Sequence, residues 1–219
     1  MGVKTAVLAY SDAAVADVLR DAPPGEIDRA AALAGRVRPG HDVERDAEAP
    51  WMLAEALCPP EGTVCALSVP GLDLVCDQEV MLDRPSRLPG HLVGAGRGRR
   101  LYLHAMHSAV DWLAFAVWED GRLVRSLSLS PDGGVIEDIG EPLPFESPYW
   151  DGRHAVELLA DEQPYPLPFH PLELGERAML EFFGFFLEGC AGDFDGAEPV
   201  VDVWGVELPG FRATPRPQG

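Results

Sequence analysis

The sequence predicts an α+β fold: a single domain with a mixed, largely antiparallel sheet and flanking helices. Three observations carry this. Strand-like segments crowd the middle of the chain, helical periodicity lies towards its two ends, and neither an internal repeat nor a linker of distinct composition interrupts them. The chain has 219 residues, a length suited to one domain, and 47% of them are hydrophobic, enough to bury a core. The domain is read as 1–213 and residues 214–219 as a flexible tail.

Val3–Ala9 reads as the first strand. Ser11 or Asp12 then offers a side-chain oxygen to the orphan amides of a helix running to Arg20, which Pro23-Pro24-Gly25 stops. Asp28–Val37 is helical, with Ala31, Ala34 and Val37 near one face. Residues 42–50 are polar and carry no clear element, and Trp51–Leu57 reads as a short helix. Val64–Val69 and Leu72–Cys76 are strands around a Pro70-Gly71 turn. Ser86–Val93 reads as a short helix broken at Pro89.

The clearest local pattern follows. Arg100–His107, Val110–Trp118 and Arg122–Leu129 are strand-like, and Glu119-Asp120-Gly121 joins the last two, because Asp-Gly readily takes the positive φ of a tight hairpin. In the returning strand Leu123, Arg125, Leu127 and Leu129 alternate with Val124, Ser126, Ser128 and Ser130, the pattern of a half-buried antiparallel strand. Residues 131–171 form a long Pro- and aromatic-rich loop region with one short strand, Val135–Ile139. Leu172–Glu188 is the strongest helix, within which Gly184 costs about 1 kcal/mol relative to Ala. Val200–Leu208 reads as the final strand.

Formal charge is −19, from 17 basic and 36 acidic side chains. That balance speaks against nucleic-acid binding, where phosphate rewards excess Lys and Arg. Residues 111–219 carry 6 basic and 21 acidic side chains, so most of the excess lies there. A basic segment at 83–100 holds five Arg against Asp83, and either the protein's own acidic residues or an outside anion neutralises it. The basic residues are 16 Arg and 1 Lys, and Asn is absent, a choice that fits a GC-rich bacterial genome. No stretch approaches the roughly 20 apolar residues of a membrane span. The first apolar run is too short for a signal-peptide core, which points to a cytoplasmic protein. Cys58, Cys65, Cys76 and Cys190 show no close pair, so they read as free, mostly buried thiols rather than zinc ligands or disulfides.

Several segments carry a resemblance. They are Val75-Cys76-Asp77-Gln78, Asp83-Arg84-Pro85-Ser86, Leu103-His104-Ala105-Met106-His107-Ser108, the run from Asp111 to Gly121, and Tyr165-Pro166-Leu167-Pro168-Phe169-His170-Pro171. With the Met1–Asp12 opening they resemble a family of uncharacterised proteins from Streptomyces and related actinobacteria. The resemblance spans nearly the whole chain. It implies a single cytoplasmic domain, and no activity or catalytic residue comes with it.

Two functional readings follow from the residues. In the first, the protein is an acidic, non-enzymatic binding module of regulatory or immunity type that meets a basic protein partner. Its candidate binding residues are Arg84 and Arg97 in the basic segment and Tyr149, Trp150 and Tyr165 on the aromatic loop, which could equally staple that loop to the sheet. In the second, it is a small hydrolase-like enzyme in which Asp77, His104, His107 and Asp111 surround a pocket, with or without zinc. Residues three apart on a strand face opposite ways, so His104 and His107 share a site only across a bulge or a strand end. Cys76 beside Asp77 is a further thiol-nucleophile candidate. Gly94–Gly98 lies in the order helix, glycines, strand, the reverse of a dinucleotide fingerprint, and reads as a helix end. No resident cofactor or metal is expected.

Overall fold

The alternation of apolar residues builds a long sheet, and the helical runs cover it. The computed structural model describes residues 2–157, 163–188 and 196–217. In chain order the elements are β1 (Lys4–Ser11), α1 (Val15–Arg20), α2 (Ile27–Val37), β2 (His41–Arg45), β3 (Trp51–Met52), α3 (Leu53–Ala56), β4 (Thr63–Val69) and β5 (Leu72–Cys76). There follow α4 (Gly90–Ala95), β6 (Arg100–His107), β7 (Trp112–Glu119), β8 (Arg122–Ser130), β9 (Gly134–Ile139), α5 (Ser147–Trp150), α6 (Pro171–Phe183), β10 (Glu207–Leu208) and β11 (Gly210–Pro215). Nine strands form one sheet in the order β2-β11-β4-β5-β1-β6-β7-β8-β9, and β10 pairs with β3 apart from it. The α+β class holds, and every strand pairing among the described residues is antiparallel.

Both faces of the sheet are covered. Val7, Cys65, Leu67, Leu74 and Phe115 point to one side, where α1, α3 and α6 bring Val15, Leu19, Leu53, Ala178, Phe182 and Phe183. Ala6, Leu8, Ala66, Val75 and Leu103 point to the other, where α2 and α4 bring Ala30, Leu33 and Leu92. A strand covered on both faces reads as a continuous apolar run, which explains β1 and β7. The β7–β8 hairpin turns through Asp120 (φ 51) and Gly121 (φ 74), both left-handed as its Asp-Gly pair requires.

β8 departs from the half-buried pattern. Ser126, Ser128 and Ser130 are buried, because a 3-10 turn at Pro85–Arg87 and Glu137 of β9 close over them. The Glu137 carboxylate accepts from Ser126 Oγ (2.5 Å), Ser86 Oγ (2.6 Å) and the Ser86 amide (2.9 Å), so Ser126 is satisfied from within, while the buried Ser128 hydroxyl finds no such partner among the described residues. A register shift at Val117/Trp118 also sends Leu123 to the face opposite Arg125, Leu127 and Leu129.

α6 explains how one helix seals most of a face. A side chain at Gly175 would place its Cβ 2.8 Å from Met106 Sδ and 3.1 Å from Leu113 Cδ1, so glycine lets the helix lie close against β6 and β7. The helix ends at Phe183, earlier than the expected Glu188. Gly184 is its left-handed C-cap (φ 79), not a weak interior residue.

Other sequence expectations shift similarly. α1 begins at Val15 without a side-chain cap: Ser11 Oγ instead donates to the Ala13 and Gly71 carbonyls, and Asp12 pairs with Arg99. Trp51–Leu57 divides into β3 and α3, and Ser86–Val93 into the Pro85–Arg87 turn and α4. The polar 42–50 stretch contains most of β2, an edge strand. Val200–Leu208 is strand only at Glu207–Leu208. β11 is the strand that enters the main sheet, and it includes Thr214 and Pro215, which the sequence places in a tail. Within 131–171 lie β9, a 3-10 turn at Pro144–Glu146 and α5; residues 158–162 of that region, and Cys190, fall outside the described residues.

Candidate functional site

The quartet proposed for hydrolysis does not converge. Asp77 is buried and clamped by Arg38, with Nε to Oδ2 at 2.6 Å and Nη2 to Oδ1 at 2.5 Å, and it also accepts the Glu79 amide at 3.0 Å. His104 is fully buried towards α6. Its Nδ1 lies 2.9 Å from Thr5 Oγ1 and its Nε2 3.0 Å from the Gly175 carbonyl. Because a carbonyl only accepts, Nε2 carries the proton and Nδ1 accepts from the threonine hydroxyl. Burial drives the ring's pKa down to about 4, so it is a neutral bridge between β1, β6 and α6. His107 belongs to the opposite face of β6, where Lys4 stands across from it; burial first, then that ammonium, holds its pKa below the usual histidine value. Asp111 sits at the β6–β7 turn with φ 47, its Oδ2 3.7 Å from His170 Nε2.

Thiol chemistry fares no better. Burial pushes Cys65 up to about 12 and Cys76 well above its ordinary value, so neither supplies a thiolate at neutral pH. Among the described residues no three His, Cys, Asp or Glu side chains gather as a metal site, and no helix is long and apolar enough to cross a membrane.

The residues named for binding are dispersed. Tyr149 is buried, stacked on His154 at 4.1 Å and edge-on to Phe169. Trp150 packs on Phe169 and donates to Glu146 at 3.3 Å, while Tyr165 stacks on His170. Glu146 is itself fully buried and bidentate with Arg125, which pins the aromatic loop to β8. These rings pack the loop on itself and on the start of α6, and the Arg125–Glu146 pair ties it to β8. Arg84 donates to the Ile136 carbonyl at 2.9 Å, and the stem of Arg97 lies against the Gly121 turn. The basic segment is partly neutralised from within: Arg99 meets Asp73 (3.0 Å) and Asp12 (3.3 Å), and Arg100 meets Glu119 (2.6 Å).

A different place has the shape of a site. β1 and β7 finish, and β6 begins, at the same end of the sheet, where α6 also terminates. There an open cleft of about 1040 Å³ is lined by Ser11–Ala16, Gly98–Arg100, Tyr102, Val117, Glu119, Asp120, Val124, Leu143–Phe145, Glu181 and Phe182. It holds four carboxylates against two guanidinium groups. Asp12, Glu119 and Glu181 are engaged with Arg99, Arg100 and Arg177, while Asp120 accepts the Gly98 amide. Its apolar part is a ring cluster: Tyr102 and Phe182 lie 5.1 Å apart, and Phe145 meets Phe182 edge-on at 5.5 Å. A smaller recess of about 250 Å³ adjoins it through Pro144, Phe145 and Glu181, and brings in Pro148, Tyr149, His154 and Arg177. Of the binding residues named from sequence, Tyr149 alone lines either hollow. Arg177 and Glu181 stand one turn apart on α6, but nothing in the sequence brings them to the ends of β1, β6 and β7.

No curated protein and no solved structure matches the chain in comparison. A family does, and over nearly the full length: residues 5–211 match, so the chain belongs to DUF6928, a family of unknown function.

Proposed function

We propose that the protein is an acidic, non-enzymatic binding module of regulatory or immunity type, and that its cleft receives a basic segment of a protein partner. The cleft carries the reading: it is open, rich in carboxylates and floored by aromatic rings. A net charge of −19 adds a long-range field that draws basic partners and repels nucleic acid. A cytoplasmic setting belongs to the same proposal. It is supported by Cys65 and Cys76, which face each other across β4 and β5 as free thiols, the state a reducing compartment maintains. An actinobacterial origin likewise rests on the arginine-rich, asparagine-free composition.

The test is association with a fluorescent octa-arginine peptide, followed by anisotropy as salt rises from about 0.01 M to about 1 M, over which the Debye length falls from about 30 Å to about 3 Å. Binding that weakens steeply with salt, and that a peptide of equal length made of glutamate does not reproduce, is the expected result. Absence of binding at the lowest salt removes the reading.

A further inference from the structure

We infer that the cleft reads an arginine side chain, and that Arg177 is an internal cation occupying part of that seat. This rests on the binding-module reading and specifies its chemistry. Glu181 is the pivot. It lines both the cleft and the adjoining recess, its side chain is 48% exposed, and Arg177 Nη2 holds its Oε2 at 3.1 Å. Among the described residues no other cation holds its carboxylate. On the cleft side, Phe182 follows it in sequence, and the Tyr102, Phe182 and Phe145 rings form the apolar floor.

A carboxylate beside ring faces suits a guanidinium better than an ammonium. The guanidinium is flat, stacks on an aromatic face and presents paired donors to a carboxylate, whereas an ammonium is a compact, strongly hydrated charge. A guanidinium already sits against a carboxylate in the cleft, where Arg100 Nε donates to Glu119 at 2.9 Å. Arg177 lines the recess and meets Glu181 there in an i,i+4 pair on the helix surface, a kind of pair that is weakly held. An incoming arginine therefore displaces it readily. Asp120, whose Oδ1 accepts the Gly98 amide at 2.8 Å, adds negative potential from the β7–β8 turn.

The experiment is an NMR titration of the intact protein at low salt with three capped pentapeptides. Each has two glycines on either side of a central arginine, lysine or citrulline, the last being flat like arginine but uncharged. Shifts are expected at the amides of Tyr102, Phe145, Glu181 and Phe182, with arginine binding about threefold tighter than lysine and citrulline weakest. Glu181→Gln should weaken the arginine peptide about fivefold, and Arg177→Gln should tighten it about twofold by removing the competitor. Arg29→Gln, on the α2 side of the sheet, controls for the change in net charge and should leave affinity within about 1.5-fold. Both cleft positions are at the surface, and thermal melts confirm that the variants fold.

Lysine binding as tightly as arginine, indifference to Glu181→Gln, or shifts confined to another face would each overturn the arginine seat. If octa-arginine also fails to bind, the whole binding-module reading falls. If octa-arginine binds while the pentapeptides ignore Glu181, only the arginine seat is lost.

Discussion

Glu176 should make the folded protein lose stability as pH rises through neutrality. This glutamate lies in the middle of α6 and is 4% exposed, with its two oxygens accepting the Leu187 (2.8 Å) and Glu188 (3.2 Å) amides. Those bonds favour the carboxylate, but burial outweighs them, and the Glu188 charge adds to the burden, so the pKa rises from 4.5 to about 7. A raised folded value means the folded state holds the proton more tightly than the unfolded chain does. The contribution is thus fully present below 4.5 and is lost as pH rises through about 7. A change of that size corresponds to about 3 kcal/mol. Glu176→Gln imitates the protonated form at every pH and keeps one accepting oxygen. Urea unfolding of both proteins from pH 4.5 to 8.5 measures the difference. Relative to wild type, the variant should gain about 3 kcal/mol across that range, or about 1.5 M in midpoint for a slope of about 2 kcal/mol per molar. Parallel pH profiles for the two proteins would refute the reasoning, because they would place an ionised Glu176 in the folded state at no cost.

Three further perturbations follow from buried features. His104 has the opposite sign: its folded pKa of about 4 lies below the ordinary 6.5, so its stabilisation is present above 6.5 and is lost as pH falls through about 4. His104→Gln should flatten that acid limb, read by thermal melts in the same buffers. Arg38→Met strands the Asp77 carboxylate in the interior and should cost about 3–5 kcal/mol by denaturant titration, whereas the double variant with Asp77→Leu should recover much of the loss. Gly184→Ala forces a left-handed φ of 79 on a residue with a side chain and sets its Cβ 2.5 Å from that of Ala16; a loss of about 2 kcal/mol or more in chemical unfolding is expected.

The sequence was most legible where local and global preferences agree. The Glu119-Asp120-Gly121 turn and the runs beside it announce β7 and β8 because turn chemistry and alternation reinforce each other. β2 and β11 were illegible for a physical reason. Edge and near-edge strands such as His41–Arg45 are held through backbone bonds and need little apolar pattern, so their charged residues read as loop. Conversely, the β-branched residues of Val200–Val206 suggested a strand, but they support α6 and α3 from turns: the Gly184 carbonyl accepts the Val200 and Val201 amides, and the Val203 carbonyl accepts that of Ala54. The buried polar pairs escaped notice because Arg38 and Asp77, or Arg125 and Glu146, are brought together only by the sheet. The cleft was hidden likewise, since its lining comes from segments far apart in the chain.

The order of strands in the sheet also bears on how the chain is made. β1 precedes the other strands yet occupies the centre, and its two partners, β5 and β6, appear only after 60 and 88 further residues respectively. β11 is slotted between β2 and β4, so those two strands keep unpaired flanks until residues 210–215 arrive. During synthesis on the ribosome the nascent sheet therefore exposes an open seam from the emergence of β4 until that of β11. Completion is a zippering event that waits for β11 rather than gradual growth from one side. A chain stopped short of Gly210 would carry that seam permanently, offering β4 to any passing extended segment and leaving β2 without a neighbour.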